Sequence, residues 1–173
     1  MRVLAFDTAT RYLVVGSWRG ELALLAERRH GALIKDALEH HLAAAGISLS
    51  EVEGVAAGQG PGSYTGLRIG LAFGQGLARA LGVPFVGVDT LAALARGMKG
   101  RVAVGISARN RLVYAAVYED GALAVPPKKL SLEEFERLAP CRLLDEPPSG
   151  LWLSRLGAER LKRGEQGFSA HYL

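Results

Sequence analysis

The residues best placed to do chemistry lie in one stretch, Gly58-Gln-Gly-Pro-Gly-Ser-Tyr-Thr-Gly-Leu-Arg-Ile-Gly70. Glycine and proline let its backbone take conformations closed to other residues and lie close against whatever it faces. An apolar run over 52–57 precedes it, and Leu67, Leu71, Ala78 and Leu81 recur at helical spacing after it, so it is a strand-to-helix turn. Such a turn leaves the first N–H groups of the helix unpaired. Ser63 or Thr65 caps one or two of them, and the remainder suit an anion. The spacing is not the Gly-x-x-x-x-Gly-Lys-Ser/Thr of a P-loop, and no lysine falls between Lys35 and Lys99, which excludes a P-loop NTPase.

The other reactive side chains are less well supported. Gly60-Pro-Gly-Ser-Tyr64 does not match Gly-x-Ser-x-Gly, and no histidine shares a suggestive context with Cys141, so acyl or peptide hydrolysis is rejected. His40 and His41 are adjacent, which on a helix points them roughly 100° apart, unable to share an ion. His30 is followed four positions later by Ile34, and His171 stands alone. All four read as solvated or structural, and no metal site is expected. Gly66, Gly70 and Gly74 fall at i, i+4 and i+8 on one helix face. Each glycine costs a helix roughly 1 kcal/mol relative to alanine, so something approaches that face closely: an internal element or another chain. Arg68 is either an ordinary exposed helix residue or a planar donor for an acidic group or phosphate on a partner.

These residues need elements to position them. The chain has 173 residues, 49% hydrophobic, enough for one domain or two small lobes. Its formal charge of +4 is mild and dispersed apart from Arg28-Arg29 and Lys128-Lys129, so it does not by itself announce nucleic-acid binding. A single cysteine excludes an internal disulfide framework, no signal peptide is read at the N-terminus, and no apolar run reaches the roughly 18 residues of a membrane span. A soluble cytoplasmic protein is expected.

The apolar pattern predicts strands over 3–6, 12–18 and 21–27, a helix over 33–45 ended by Gly46, a strand over 52–57, and the glycine-rich helix to Leu81. A strand over 83–88 and a helix over 91–98, capped by Asp89-Thr90, follow. After Gly100 the plan restarts with strands over 101–106, 112–118 and 122–125, then a helix opened by the capping box Ser131-Leu-Glu-Glu134 and running to about Leu138. The offset of one hundred residues is one of pattern, not identity, and makes a duplicated fold plausible. Beyond Cys141 the pattern predicts a loop at Asp145-Glu-Pro-Pro-Ser-Gly150, a short strand at Leu151-Trp-Leu153 and a short helix over 156–163.

Leu4-Ala-Phe-Asp-Thr-Ala-Thr10, Gly60-Pro-Gly-Ser-Tyr-Thr-Gly-Leu-Arg-Ile-Gly70 and Gly87-Val-Asp-Thr-Leu91 resemble the bacterial TsaB family, also called YeaZ. The resemblance covers residues 1 to about 120; the region before Ala170-His-Tyr-Leu173 is shortened. It implies an α/β actin-like ATPase (ribonuclease H-like) fold of two lobes, here a full N-terminal lobe over 1–99 and a reduced one over 100–173. It also implies a non-catalytic role in forming threonylcarbamoyladenosine at position 37 of tRNA. In that role TsaB supports the transferase TsaD as a heterodimer, with the ATPase TsaE joining them.

This chain lacks the His-x-x-x-His metal pair of the transferase, and it has Asp7-Thr-Ala-Thr10 where actin-like ATPases carry Asp-x-Gly-x-Thr/Ser. Ser107-Ala-Arg109 stands at the corresponding turn of the second lobe. The expectation is therefore no catalytic residue, no metal and no intrinsic cofactor, with ATP or ADP only within the complex, nearest Asp7, Thr8, Gly60, Gly62 and Ser63. The partner surface is expected at Leu38, Gly66, Arg68, Ile69, Gly70, Phe73, Gly74 and Leu77, taking TsaD or, alone, a second copy. Contact with tRNA is expected to be indirect. The alternative is an autonomous actin-like ATPase or phosphotransferase.

Overall fold

The computed structural model describes residues 1–172. The first strand, β1 (Val3–Asp7), is buried along its whole length. It pairs antiparallel with β2 (Tyr12–Ser17) and parallel with β4 (Gly54–Gly58). With β3 (Gly20–Leu25) and β5 (Phe85–Val88) these strands form a sheet in the order β3-β2-β1-β4-β5. Only β2 runs against the others, which is the ribonuclease H-like arrangement.

Strand alternation covers both faces. Leu4, Phe6, Leu13, Val15 and Val55 pack against α1 (His30–Ala45) and α2 (Tyr64–Leu81). Val3, Ala5, Val14 and Ala56 turn the other way, toward α5 (Gly150–Lys162). A strand covered on both sides reads as a continuous apolar run, which is the pattern of Val3-Leu-Ala-Phe6. The stops are local: Gly46 and Gly82 end α1 and α2 in the left-handed conformation, at φ 62 and 68. Asp89 caps α3 (Thr90–Ala95) by accepting the Ala92 N–H at 2.9 Å, and α3 ends before the expected Met98.

The second sheet repeats the first. It contains β6 (Arg101–Ser107), β7 (Leu112–Glu119), β8 (Ala122–Ser131) and β9 (Cys141–Leu144), in the order β8-β7-β6-β9. The β6–β7–β8 meander is antiparallel and β9 is parallel to β6, strand for strand the plan of β1 to β4. Among the described residues it has no counterpart of β5, and α4 (Leu132–Glu136) is a five-residue helix where α1 has sixteen. Its capping box is formed as expected.

Three elements differ from the sequence reading by more than the placing of a helix end. Strand β8 runs through Pro126-Pro127 to Ser131 instead of stopping at Val125. It is an edge strand, so the missing proline donors cost it little. The second is β9, which was not expected. The third is Leu151-Trp-Leu153, which is the first turn of α5 and not a strand. Ser149 caps it, accepting the Trp152 N–H at 3.1 Å, while Glu21 accepts the Leu151 N–H at 2.8 Å. Leu153, Gly157 and Leu161 then face inward at i, i+4 and i+8. A methyl on Gly157 would stand 2.6 Å from the Ala56 Cβ, so glycine sets the close approach of helix and sheet. Thus α5 packs on the first sheet, and the chain after it stays there. Gly167 pairs with Val86, Tyr172 pairs with Gly62, and the His171 N–H donates to the Gln59 carbonyl at 2.8 Å.

Candidate functional site

The glycine-rich loop is docked against the β1–β2 turn. Ser63 N–H donates to the Ala9 carbonyl at 2.9 Å, and the Thr8 hydroxyl donates to the Gly66 carbonyl at 2.7 Å. Ser63 Oγ caps α2 by accepting the Gly66 N–H at 3.0 Å. A methyl on Gly66 would overlap the Thr8 carbonyl oxygen, and one on Gly70 the Thr8 hydroxyl. One on Gly74 would lie 2.8 Å from the Phe85 ring. All three glycines are buried.

This corrects the expected glycine-lined partner surface. The stripe faces inward, Gly66 toward the Thr8 backbone, Gly70 toward the Thr8 side chain and Gly74 toward the Phe85 ring and the Ala57 Cβ. Leu38 also points into the core. The outward side of α2 carries a different set: Arg68, Ala72, Gly76 and Ala80 are exposed, while Ile69, Phe73 and Leu77 are half-buried. Arg68 donates to the Tyr64 hydroxyl at 2.9 Å and lies over its ring at 5.2 Å, so it is an exposed residue with an intramolecular partner.

Asp7 lies behind the loop. Its carboxylate accepts the Ala9 N–H at 2.7 Å and the Thr90 hydroxyl at 2.8 Å, and Thr90 in turn accepts the Gly60 N–H at 3.2 Å. Burial pushes the Asp7 carboxyl up to about 6, against smaller lowering by those hydrogen bonds. Asp89 is also raised, chiefly by burial. Gly58 has no room for a side chain beside Asp7. Asp7 is therefore a tie between β1, the loop and the start of α3.

The residues expected nearest a nucleotide accordingly separate. Asp7, Thr8 and Gly60 are interior, whereas Gly62 and Ser63 reach a cleft of about 1530 Å³ between the two sheets. Asp7 does not line that cleft and is only 1% exposed, so its carboxylate does not reach a metal–nucleotide held there in the actin-like manner. No reaction step follows from it.

The histidines have internal partners as well. His30 Nε2 bonds the Tyr12 carbonyl at 3.0 Å, and His41 Nε2 bonds Ser17 Oγ at 2.9 Å. Burial holds His41 below the usual histidine range. Among the described residues no three of His, Cys, Asp and Glu converge as a metal site would require. No helix among them is long and apolar enough to cross a membrane. Sequence reasoning missed the outward stripe Ala72, Gly76 and Ala80, although its i, i+4, i+8 spacing was visible beside the glycine one.

The comparisons with known proteins agree on one relationship. The family model described as TsaD, tRNA N6-adenosine threonylcarbamoyltransferase, matches residues 20–140. The tRNA threonylcarbamoyladenosine biosynthesis protein TsaB of Escherichia coli is 38% identical over 128 residues, covering 69% of this chain and 55% of that protein. A tRNA N6-adenosine threonylcarbamoyltransferase of Geotalea uraniireducens is 32% identical over 167 residues, covering 91% of this chain and 48% of that one. The chain thus spans about half the length of these curated relatives. The solved structure of YeaZ from Pseudomonas aeruginosa superposes with a TM-score of 0.81 at 27% identity, covering 96% of this chain and 94% of that one. The chain belongs to the family that the TsaD model describes, and its likeness to TsaB of Escherichia coli and to YeaZ along nearly the whole of both chains makes it a TsaB (YeaZ) member of that family.

Proposed function

We propose that this chain is a non-catalytic cytoplasmic subunit in the formation of tRNA threonylcarbamoyladenosine, binding and supporting the transferase TsaD, with TsaE joining the pair. The observation that carries the reading is the outward side of α2. Ala72, Gly76 and Ala80 are small and exposed, beside half-buried Ile69, Phe73 and Leu77. Nothing stands within 4 Å of a methyl built on Gly76, so a partner helix has room to come to the short end of the interhelical range, about 8 Å. The same side serves a second copy of the chain when the transferase is absent. The internal duties of Asp7, His30 and His41 favour this reading over an autonomous ATPase or phosphotransferase.

Ala72→Arg places a long charged side chain on the stripe without touching the core. The expected result is loss of co-elution with TsaD and of threonylcarbamoylation in a reconstituted reaction, with an unchanged unfolding midpoint. Wild-type pairing by this variant places the docking surface elsewhere. Calorimetry that detects submillimolar ATP binding by the isolated chain restores the autonomous enzyme.

A further inference from the structure

We propose that the cleft between the two sheets binds a single-stranded segment of RNA through its phosphates. The choice of RNA among polyanions rests on the tRNA-modifying role proposed above. The charge of the cleft does not. It is lined by Arg11 from the β1–β2 turn, Arg28 and Arg29 before α1, Arg109 from the β6–β7 turn and Lys129 from β8, against only Glu27 and Asp145. Three of the four net positive charges of the chain therefore belong to one concavity.

Among the described residues none of these five cations takes part in an ion pair. Asp145 accepts instead from the backbone N–H and hydroxyl of Ser107. Arg11 and Lys129 rest over the rings of Tyr12 and Tyr114, at 5.5 and 5.6 Å, contacts that restrain the side chains and leave their charge unneutralised.

Size and chemistry favour a strand over a small ligand. The volume of about 1530 Å³ exceeds the roughly 300–1,000 Å³ typical of small-molecule pockets. The cations stand on both walls, so a chain of phosphates running between the sheets meets charge on either side. Ser63 and Thr65 add hydroxyl donors along the lining.

The test is fluorescence anisotropy of a labelled oligouridylate with the full chain at several salt concentrations. Three to five phosphate contacts give a log–log salt slope of about −2 to −3.5. The double reversal Arg109→Glu, Lys129→Glu changes two exposed residues. It is expected to weaken binding at least tenfold and to flatten the slope by about 1.4. Lys99→Glu, Arg137→Glu makes the same charge change outside the cleft and is expected to stay within twofold.

Absence of RNA binding at low salt, or equal loss in both double variants, overturns the proposal. So does displacement of the RNA by ATP at equal phosphate concentration, or by oligoglutamate at equal charge, either of which assigns the cleft to that ligand. Co-elution with TsaD is measured on the cleft variant in parallel. Retained pairing with lost RNA binding separates the cleft from the docking side. A wild-type chain that pairs but never binds RNA sinks this inference alone, and one that binds RNA but never pairs sinks the docking reading alone.

Discussion

Gly66→Val is expected to unfold the chain, not merely to separate it from a partner. The first carbon of the new side chain falls on the carbonyl oxygen of Thr8, a backbone atom in a buried turn that no rotamer change relieves. That turn is held from three sides: the Asp7 carboxylate accepts the Ala9 N–H, the Ala9 carbonyl accepts from Ser63, and the Thr8 hydroxyl donates to the Gly66 carbonyl. Overpacking a tight site costs about 1–3 kcal/mol. Breaking buried hydrogen bonds adds to it, so a total of at least about 4 kcal/mol is expected, a large share of the 5–15 kcal/mol stability of an ordinary domain.

Urea unfolding followed by circular dichroism reads this as a large fall in midpoint or as insoluble protein. The informative contrast is Gly76→Ala, on the outward side of the same helix with open space around it. Removing a glycine from a helix interior there is expected to raise stability by about 0.5–1 kcal/mol. If Gly66→Val keeps the wild-type midpoint and loses only its partner, the inner stripe is an intermolecular surface after all.

Asp7→Asn is expected to act in the opposite direction and to depend on pH. The folded carboxyl keeps its proton up to about 6, against an ordinary value of 3.8. Between those values the folded chain binds more protons than the unfolded one, so stability is greatest below the lower value and falls as pH rises through the window. Above the upper value the loss is complete. A shift of about two units corresponds to about 3 kcal/mol. Asparagine keeps an acceptor for the Ala9 N–H and presents an amide donor to Thr90, whose hydroxyl must then turn. The expected gain is therefore reduced, to about 2 kcal/mol near pH 7.5, with little difference near pH 4. A wild-type stability that stays flat between pH 4 and 6 contradicts the assignment. The result also bears on function, because an unneeded buried charge is one that replacement improves, whereas a metal-organising carboxylate is one whose loss abolishes activity.

What the sequence made legible follows the range of the interactions. Strands β1 and β2 and the α2 turn were readable because their signals are local: alternation, a capping serine, a glycine stop. The restart after Gly100 was readable for the same reason, and the two sheets do share a plan. Periodicity located the glycine stripe of α2 but could not say what it faces, since Thr8 and Phe85 reach it only through the fold. Helix α5 failed more completely. Three consecutive apolar residues, Leu151-Trp-Leu153, carry no period, and what decides between helix and strand is the bare surface at Gly16 and Ala56, far earlier in the chain. The basic cleft was likewise invisible, because Arg11, Arg28, Arg29, Arg109 and Lys129 become neighbours only when the two sheets face each other.

The return of α5 to the first sheet has a consequence for synthesis. Leu153 and Leu161 are the cover for Val3, Ala5, Val14, Ala56, Val86 and Val88. A ribosome that has released all five strands of that sheet has therefore released an open apolar surface. It stays uncovered until α5 emerges, a wait of some seconds at about 5–20 residues per second. Throughout that interval the nascent chain is a client for holding factors rather than a finished lobe, and a stop or cleavage ahead of Gly150 would leave it so permanently.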